Sequence, residues 1–149
     1  FSAGGHLAST AGTHFKKEVI ENPNHSSLRP DFMLLIYPVI SFTAIGHRGS
    51  ADQLIGKNPS PEKVKEYSNE MQVTTETPPT FLVHASDDDA VNPMNSIVFY
   101  DSLIRHKVKA EMHIYQQGGH GFGMYMRNTK ELWMETCFNW MKLNGWIKQ

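Results

Sequence analysis

Three short stretches of this sequence hold residue types that could do chemistry together. The first is Phe1-Ser2-Ala3-Gly4-Gly5-His6. A serine two residues before a glycine, opening a helix, matches the second half of a strand–turn–helix nucleophile motif. Such a turn strains the backbone and exposes the hydroxyl. Gly4 is read as removing a side chain that would clash across it. The helix N-terminus beyond it presents N–H groups and partial positive charge where an oxyanion would form, with the N–H of Ala3 as one donor. The plain alternative is an N-cap serine on an ordinary helix.

The second stretch is His84-Ala85-Ser86-Asp87-Asp88-Asp89-Ala90-Val91-Asn92-Pro93. It follows an apolar run that reads as a strand, at the end where open parallel sheets place functional groups. A carboxylate there can hold an imidazole in one tautomer. The alternative is a solvated acidic loop that caps the next helix. The third stretch is Gly118-Gly119-His120-Gly121-Phe122-Gly123. Its glycines allow a tight fold that leaves the imidazole exposed. It lacks the Gly-Lys-Ser/Thr ending of a phosphate loop, which argues against nucleotide binding. The alternative is an ordinary turn histidine. Taken in order, the three supply a nucleophile, an orienting acid and a base.

The elements that must position them alternate between helix and strand, as in a parallel sheet with helices on its faces. Residues 4 to about 15 read as a helix, with Leu7, Ala8 and Ala11 at helical spacing. Phe32 to Val39 reads as a buried strand. Ser41 to Pro79 is rich in glycine, proline and charge, and reads as an excursion with short helices. Ser60-Pro61-Glu62-Lys63 is a helix start within it. Thr80 to Ala85 is the next buried strand. Residues 95 to 106 form an amphipathic helix with Ile97, Tyr100 and Ile104 on one face. Ala110 to Tyr115 is a third strand. A last helix runs from about Thr129 to Asn144, with Trp133, Cys137, Trp140 and Met141 on its seam and Gly145 as its stop. The fold class is α/β, with about three parallel strands and flanking helices.

The chain has 149 residues, 40% hydrophobic and 19% charged, with a formal net charge of −1. That composition fits an ordinary globular domain. No basic patch points to nucleic acid, and no apolar run is long enough for a membrane helix. The lone cysteine, Cys137, lies on an apolar seam and reads as core. His14, His25, His47, His106 and His113 have no ligand spacing, so no metal or other cofactor is expected. Trp146, beyond the last helix, is read as the most exposed of the three tryptophans. Met94 and Asn95 read as a helix start, and no compartment can be read.

The whole chain resembles the C-terminal half of α/β-hydrolase esterases of the acetyl-xylan-esterase-like group, relatives of the dienelactone-hydrolase and prolyl-oligopeptidase folds. The resemblance rests on Phe1-Ser2-Ala3-Gly4-Gly5-His6-Leu7-Ala8, on Pro78-Pro79-Thr80-Phe81-Leu82-Val83-His84 with Asp88-Asp89-Ala90-Val91, on Asn95-Ser96, and on Gly118 to Gly123. It implies a serine esterase with Ser2 as nucleophile, Asp88 as acid and His120 as base, with Asp87 and Asp89 as fallback acids. It implies short acyl substrates, acetyl esters of cell-wall polysaccharides among them. His6 and His84 recur in its motifs and read as packing or hydrogen-bonding groups near the site. It also implies that residues 1–149 are the C-terminal portion of one domain. The upstream strand and a second oxyanion donor would lie outside this sequence, so the chain alone is expected to be weak or inactive. A sheet of three strands would then need its missing half or another copy of itself. A prolyl-oligopeptidase-type peptidase and a non-catalytic module remain the alternatives.

Overall fold

A computed structural model describes residues 1–19, 21–126 and 132–148. Three parallel strands form one sheet in the order β1 (Met33–Ile36), β2 (Thr80–Ala85), β3 (Ala110–Tyr115). The register pairs Met33 with Thr80 and Thr80 with Ala110. All six residues of central β2 are buried. Its alternate side chains therefore face two separate cores, which requires helices on both faces of the sheet.

Leu35 and Leu82 pack with Phe99 and Leu103 on one face. These come from α4 (Met94–Arg105), with Ala8 of α1 (Ser2–His14) packed against the same cluster. Ile36, Phe81 and Val83 pack on the other face with Trp133, Cys137 and Trp140 of α5 (Trp133–Leu143). Burial leaves Cys137 5% exposed and pushes its thiol up to about 11, with Glu111 nearby adding to the shift. It is a core residue, as its place on the seam suggests. α5 ends in paired turn bonds, Trp146 N–H to the Met141 carbonyl and Gly145 N–H to the Lys142 carbonyl, with Gly145 at φ 78°. The expected start of this helix at Thr129 lies outside the described residues. Trp146 is half-buried against Phe32 and Trp140, while Trp133 and Trp140 are buried.

The excursion carries α2 (Arg48–Ile55), α3 (Pro61–Glu66) and a 3-10 turn over Asn69–Met71. Ser60 caps α3 through a hydrogen bond from the Lys63 N–H, as the sequence pattern predicts. Four other expectations need correction. β1 stops at Ile36, because Tyr37 turns to φ 39° and carries the chain out of the sheet. The apolar run continues past it since Val39 packs with Phe42 and Val91 of the excursion core.

The buried face of α1 is not Leu7 and Ala11, which are exposed. It is Gly5, His6, Ser9 and Gly12. Close approach explains the choice of Gly5. A Cβ at Gly5 would sit 2.6 Å from the Pro38 Cβ and 2.8 Å from its Cα, whereas one at Gly12 would meet only the flexible Met33 side chain. Gly4, expected to relieve a clash, faces open space instead. Likewise the inner face of α4 centres on Asn95, Ser96, Phe99 and Leu103, and Ile104 is exposed.

Candidate active site

Ser2 opens α1 at φ 51°, a left-handed conformation that non-glycine residues rarely hold. Phe1 is the N-cap of α1, so Ser2 does not cap the helix. Its hydroxyl instead lies 2.8 Å from His120 Nε2. The backbone around it is held by two bonds, Gly5 N–H to the Phe1 carbonyl and Val39 N–H to the Ser2 carbonyl. The second ties the turn to the segment leaving β1. Ala3 sits in the first turn, where helix geometry leaves N–H groups without a partner in the helix.

His120 Nδ1 lies 2.8 Å from Asp88 Oδ2. A carboxylate only accepts, so Nδ1 carries the proton of the neutral ring. Nε2 is then the acceptor for the Ser2 hydroxyl. Sequence positions 2, 88 and 120 are thus joined in one chain of hydrogen bonds, and the helix-cap, acidic-loop and plain-turn alternatives do not describe these three side chains.

Asp88 has a fully buried side chain. Burial favours its neutral form. The Val91 N–H, the His120 ring and the Ala90 N–H outweigh that effect and hold the carboxyl below its ordinary value. Oδ1 accepts from the Ala90 and Val91 N–H groups at 3.0 and 2.8 Å. Asp88 is therefore ionised at neutral pH and fixed at both oxygens.

The loop bearing His120 is built from glycines for a conformational reason. Gly119 and Gly121, on either side of the histidine, have φ 62° and 79°. Three further groups hold this loop. Asp87 Oδ1 accepts from the Gly118 and Gly119 N–H groups, both at 2.8 Å. The fallback acid is thus a strut for the histidine loop, while Asp89 is exposed. Tyr37 packs edge-on against the His120 ring at 4.9 Å, and its hydroxyl accepts from the Gly123 N–H at 3.1 Å. Trp133 Nε1 donates to the Gly123 carbonyl at 2.9 Å.

Tyr37 and Trp133 carry no motif signal, and Asp87 stands in the acidic motif without any sign of this role. Their partners lie 10 to 86 residues away in sequence.

Asn95 is a structural clamp. Its Oδ1 accepts from the Ile40 and Ser41 N–H groups, and its Nδ2 donates to the Ile45 and Asn92 carbonyls. His6 stacks on Phe42 at 4.3 Å and donates from Nε2 to the Tyr67 carbonyl, which joins α1 to the excursion. Phe42, Leu54 and Tyr67 then line an apolar hollow of about 660 Å³ that begins at Ala3. Among the described residues there is no metal-ligand cluster and no helix long and apolar enough to cross a membrane.

Known proteins share this arrangement of the chain. An acetyl ester-xyloside bifunctional hydrolase from Caldicellulosiruptor lactoaceticus superposes with a TM-score of 0.92 at 42% identity, over 99% of this chain and 56% of that one. An acetylxylan esterase from Xylanibacter ruminicola is 33% identical over 95% of this chain and 29% of its own length. An endo-1,4-beta-xylanase B from Butyrivibrio fibrisolvens is 34% identical over 81% of this chain and 19% of its own. The chain thus spans less than a third of these curated relatives and about half of the structural one. The sheet and its helices are a partial α/β-hydrolase fold. The prolyl oligopeptidase family model matches residues 1–144, nearly the whole chain. The chain belongs to the prolyl oligopeptidase family.

Proposed function

We propose that this chain is the C-terminal portion of a serine esterase domain that removes short acyl groups, acetyl foremost, from polysaccharide esters. The observation that carries the reading is the unbroken path from Ser2 Oγ through His120 to Asp88, with both links at 2.8 Å. Those lengths suit direct proton transfer. The names of the relatives at 33% and 42% identity supply the acyl and polysaccharide classes.

In the first half-reaction Ser2 Oγ attacks the ester carbonyl and its proton passes to His120 Nε2. The C–O bond to the sugar breaks as His120 returns that proton to the leaving oxygen. In the second, water gives a proton to His120 and attacks the acyl-serine, releasing the acid and restoring the Ser2 hydroxyl. Asp88 keeps the ring in one tautomer and stabilises the imidazolium. The Ala3 N–H donates to the oxyanion at each tetrahedral intermediate.

The family name favours one second reading, a peptidase that cleaves after proline. Parallel assays of p-nitrophenyl acetate, acetylated xylan and a proline p-nitroanilide with the intact protein separate the two. The expected result is release of acetate from both esters and no cleavage of the anilide. Anilide cleavage without acetate release would assign the site to peptides.

A further inference from the structure

His84 is the last-but-one residue of β2, and its side chain is wholly buried. It touches the acid of the site directly. Its Nε2 lies 3.0 Å from the Val91 carbonyl oxygen and 3.2 Å from Asp88 Oδ2. Both are acceptors, so Nε2 must carry a proton. Its Nδ1 lies 2.7 Å from the hydroxyl of Ser96, itself fully buried. Ser96 Oγ–H donates to that lone pair.

Asp88 Oδ2 therefore accepts from His120 Nδ1–H and lies 3.2 Å from His84 Nε2, whose N–H donates to the Val91 carbonyl, while its Oδ1 takes the Ala90 and Val91 N–H groups. We propose that His84 is a positioning residue: a second histidine, set by Ser96, that packs at 3.2 Å on Asp88 Oδ2 and whose Nε2–H anchors the Val91 carbonyl, so that the Val91 N–H holds the Asp88 carboxylate toward His120.

The ring suits that role. Burial lowers its pKa from the ordinary value, against the opposing pull of the Val91 carbonyl and Asp88. The other titratable groups facing it are Asp88 and His120. A neutral His84 donates a hydrogen bond without neutralising the negative charge that the His120 imidazolium needs. A protonated one would compete for that charge.

The kinetic arm of this inference rests on the esterase reading, and a spectroscopic arm does not. Two amide variants differ in where the N–H lies. His84→Gln carries its amide nitrogen near the Nε2 position, and His84→Asn carries it near Nδ1, out of reach of the Val91 carbonyl and of Asp88. The expected result in the intact protein is a kcat for His84→Asn reduced roughly 10- to 100-fold with KM changed little. His84→Gln should recover most of that loss. A side chain needed only for folding would reduce the amount of folded protein in both variants and leave kcat per folded molecule alone.

The second measurement is the ¹⁵N spectrum of the wild-type His84 ring, expected to show a protonated Nε2 and a bare Nδ1. A proton on Nδ1, or equal kcat values for the Asn variant and the wild type, would overturn the proposal. If the protein hydrolyses no ester at all, the esterase reading fails, and the ¹⁵N resonances of the His120 ring still decide the role of His84: they should shift in His84→Asn and return in His84→Gln, and unchanged His120 resonances would overturn the proposal.

Discussion

Ser2→Ala should lower kcat for p-nitrophenyl acetate by a factor on the order of 10⁵–10⁶ and leave the folded structure in place. The size follows from the position of the hydroxyl. It lies 2.8 Å from His120 Nε2, and among the described residues it is the group there that can donate a proton and then bond to carbon. Alanine keeps every backbone bond around the turn, including Val39 N–H to the residue 2 carbonyl. It meets the same left-handed φ that serine already tolerates. Circular dichroism and the denaturant midpoint should therefore match the wild type while turnover disappears. Residual activity above about 1% would mean that another residue attacks the ester.

Asp88→Asn should cost a factor on the order of 10⁴ in kcat. The geometry predicts how the amide settles. The Ala90 and Val91 N–H groups require an acceptor at the Oδ1 position. The new NH₂ must then take the place of Oδ2, facing His120 Nδ1 and His84 Nε2. Donor meets donor at His120, and the ring answers by moving its proton to Nε2. In that tautomer it cannot accept from Ser2.

The same substitution has a signature in stability. The Asp88 carboxyl is held below its ordinary value in the fold, so its ionised form stabilises the native state. That contribution is complete above the unfolded value of about 3.9 and is lost as pH falls through the lowered folded value. Urea midpoints of wild type and variant should differ most near neutral pH. They should converge only in acid below about pH 4.

The parts legible in the sequence are those governed by local pattern. β2 and β3 match their expected limits, because each is a short apolar or alternating run bounded by turn residues. Ser2 and His120 stand out by type, chain order and glycine neighbours, whereas Asp88 is singled out from Asp87 and Asp89 only by the family resemblance. α1 misleads because its inner face is small and polar. Hydropathy selects Leu7, whereas close approach to Pro38 selects Gly5. Asn95 is similarly hidden, since a buried amide with four hydrogen bonds reads in sequence as a helix start. The struts of the histidine loop are out of reach for another reason. Tyr37 and Asp87 act on residues 31 to 86 positions away, and only the folded sheet brings them together.

We propose Ser2 as the nucleophile of an assembled serine–histidine–aspartate site. Reaction of the intact protein with a fluorophosphonate, followed by digestion and mass spectrometry, tests it most directly. A nucleophilic serine displaces fluoride and keeps the phosphonyl group. One adduct is expected, on the peptide that carries Ser2, at a rate reduced strongly in Asp88→Asn. An adduct on a different serine, or unlabelled Ser2 in a preparation that still hydrolyses esters, would contradict it.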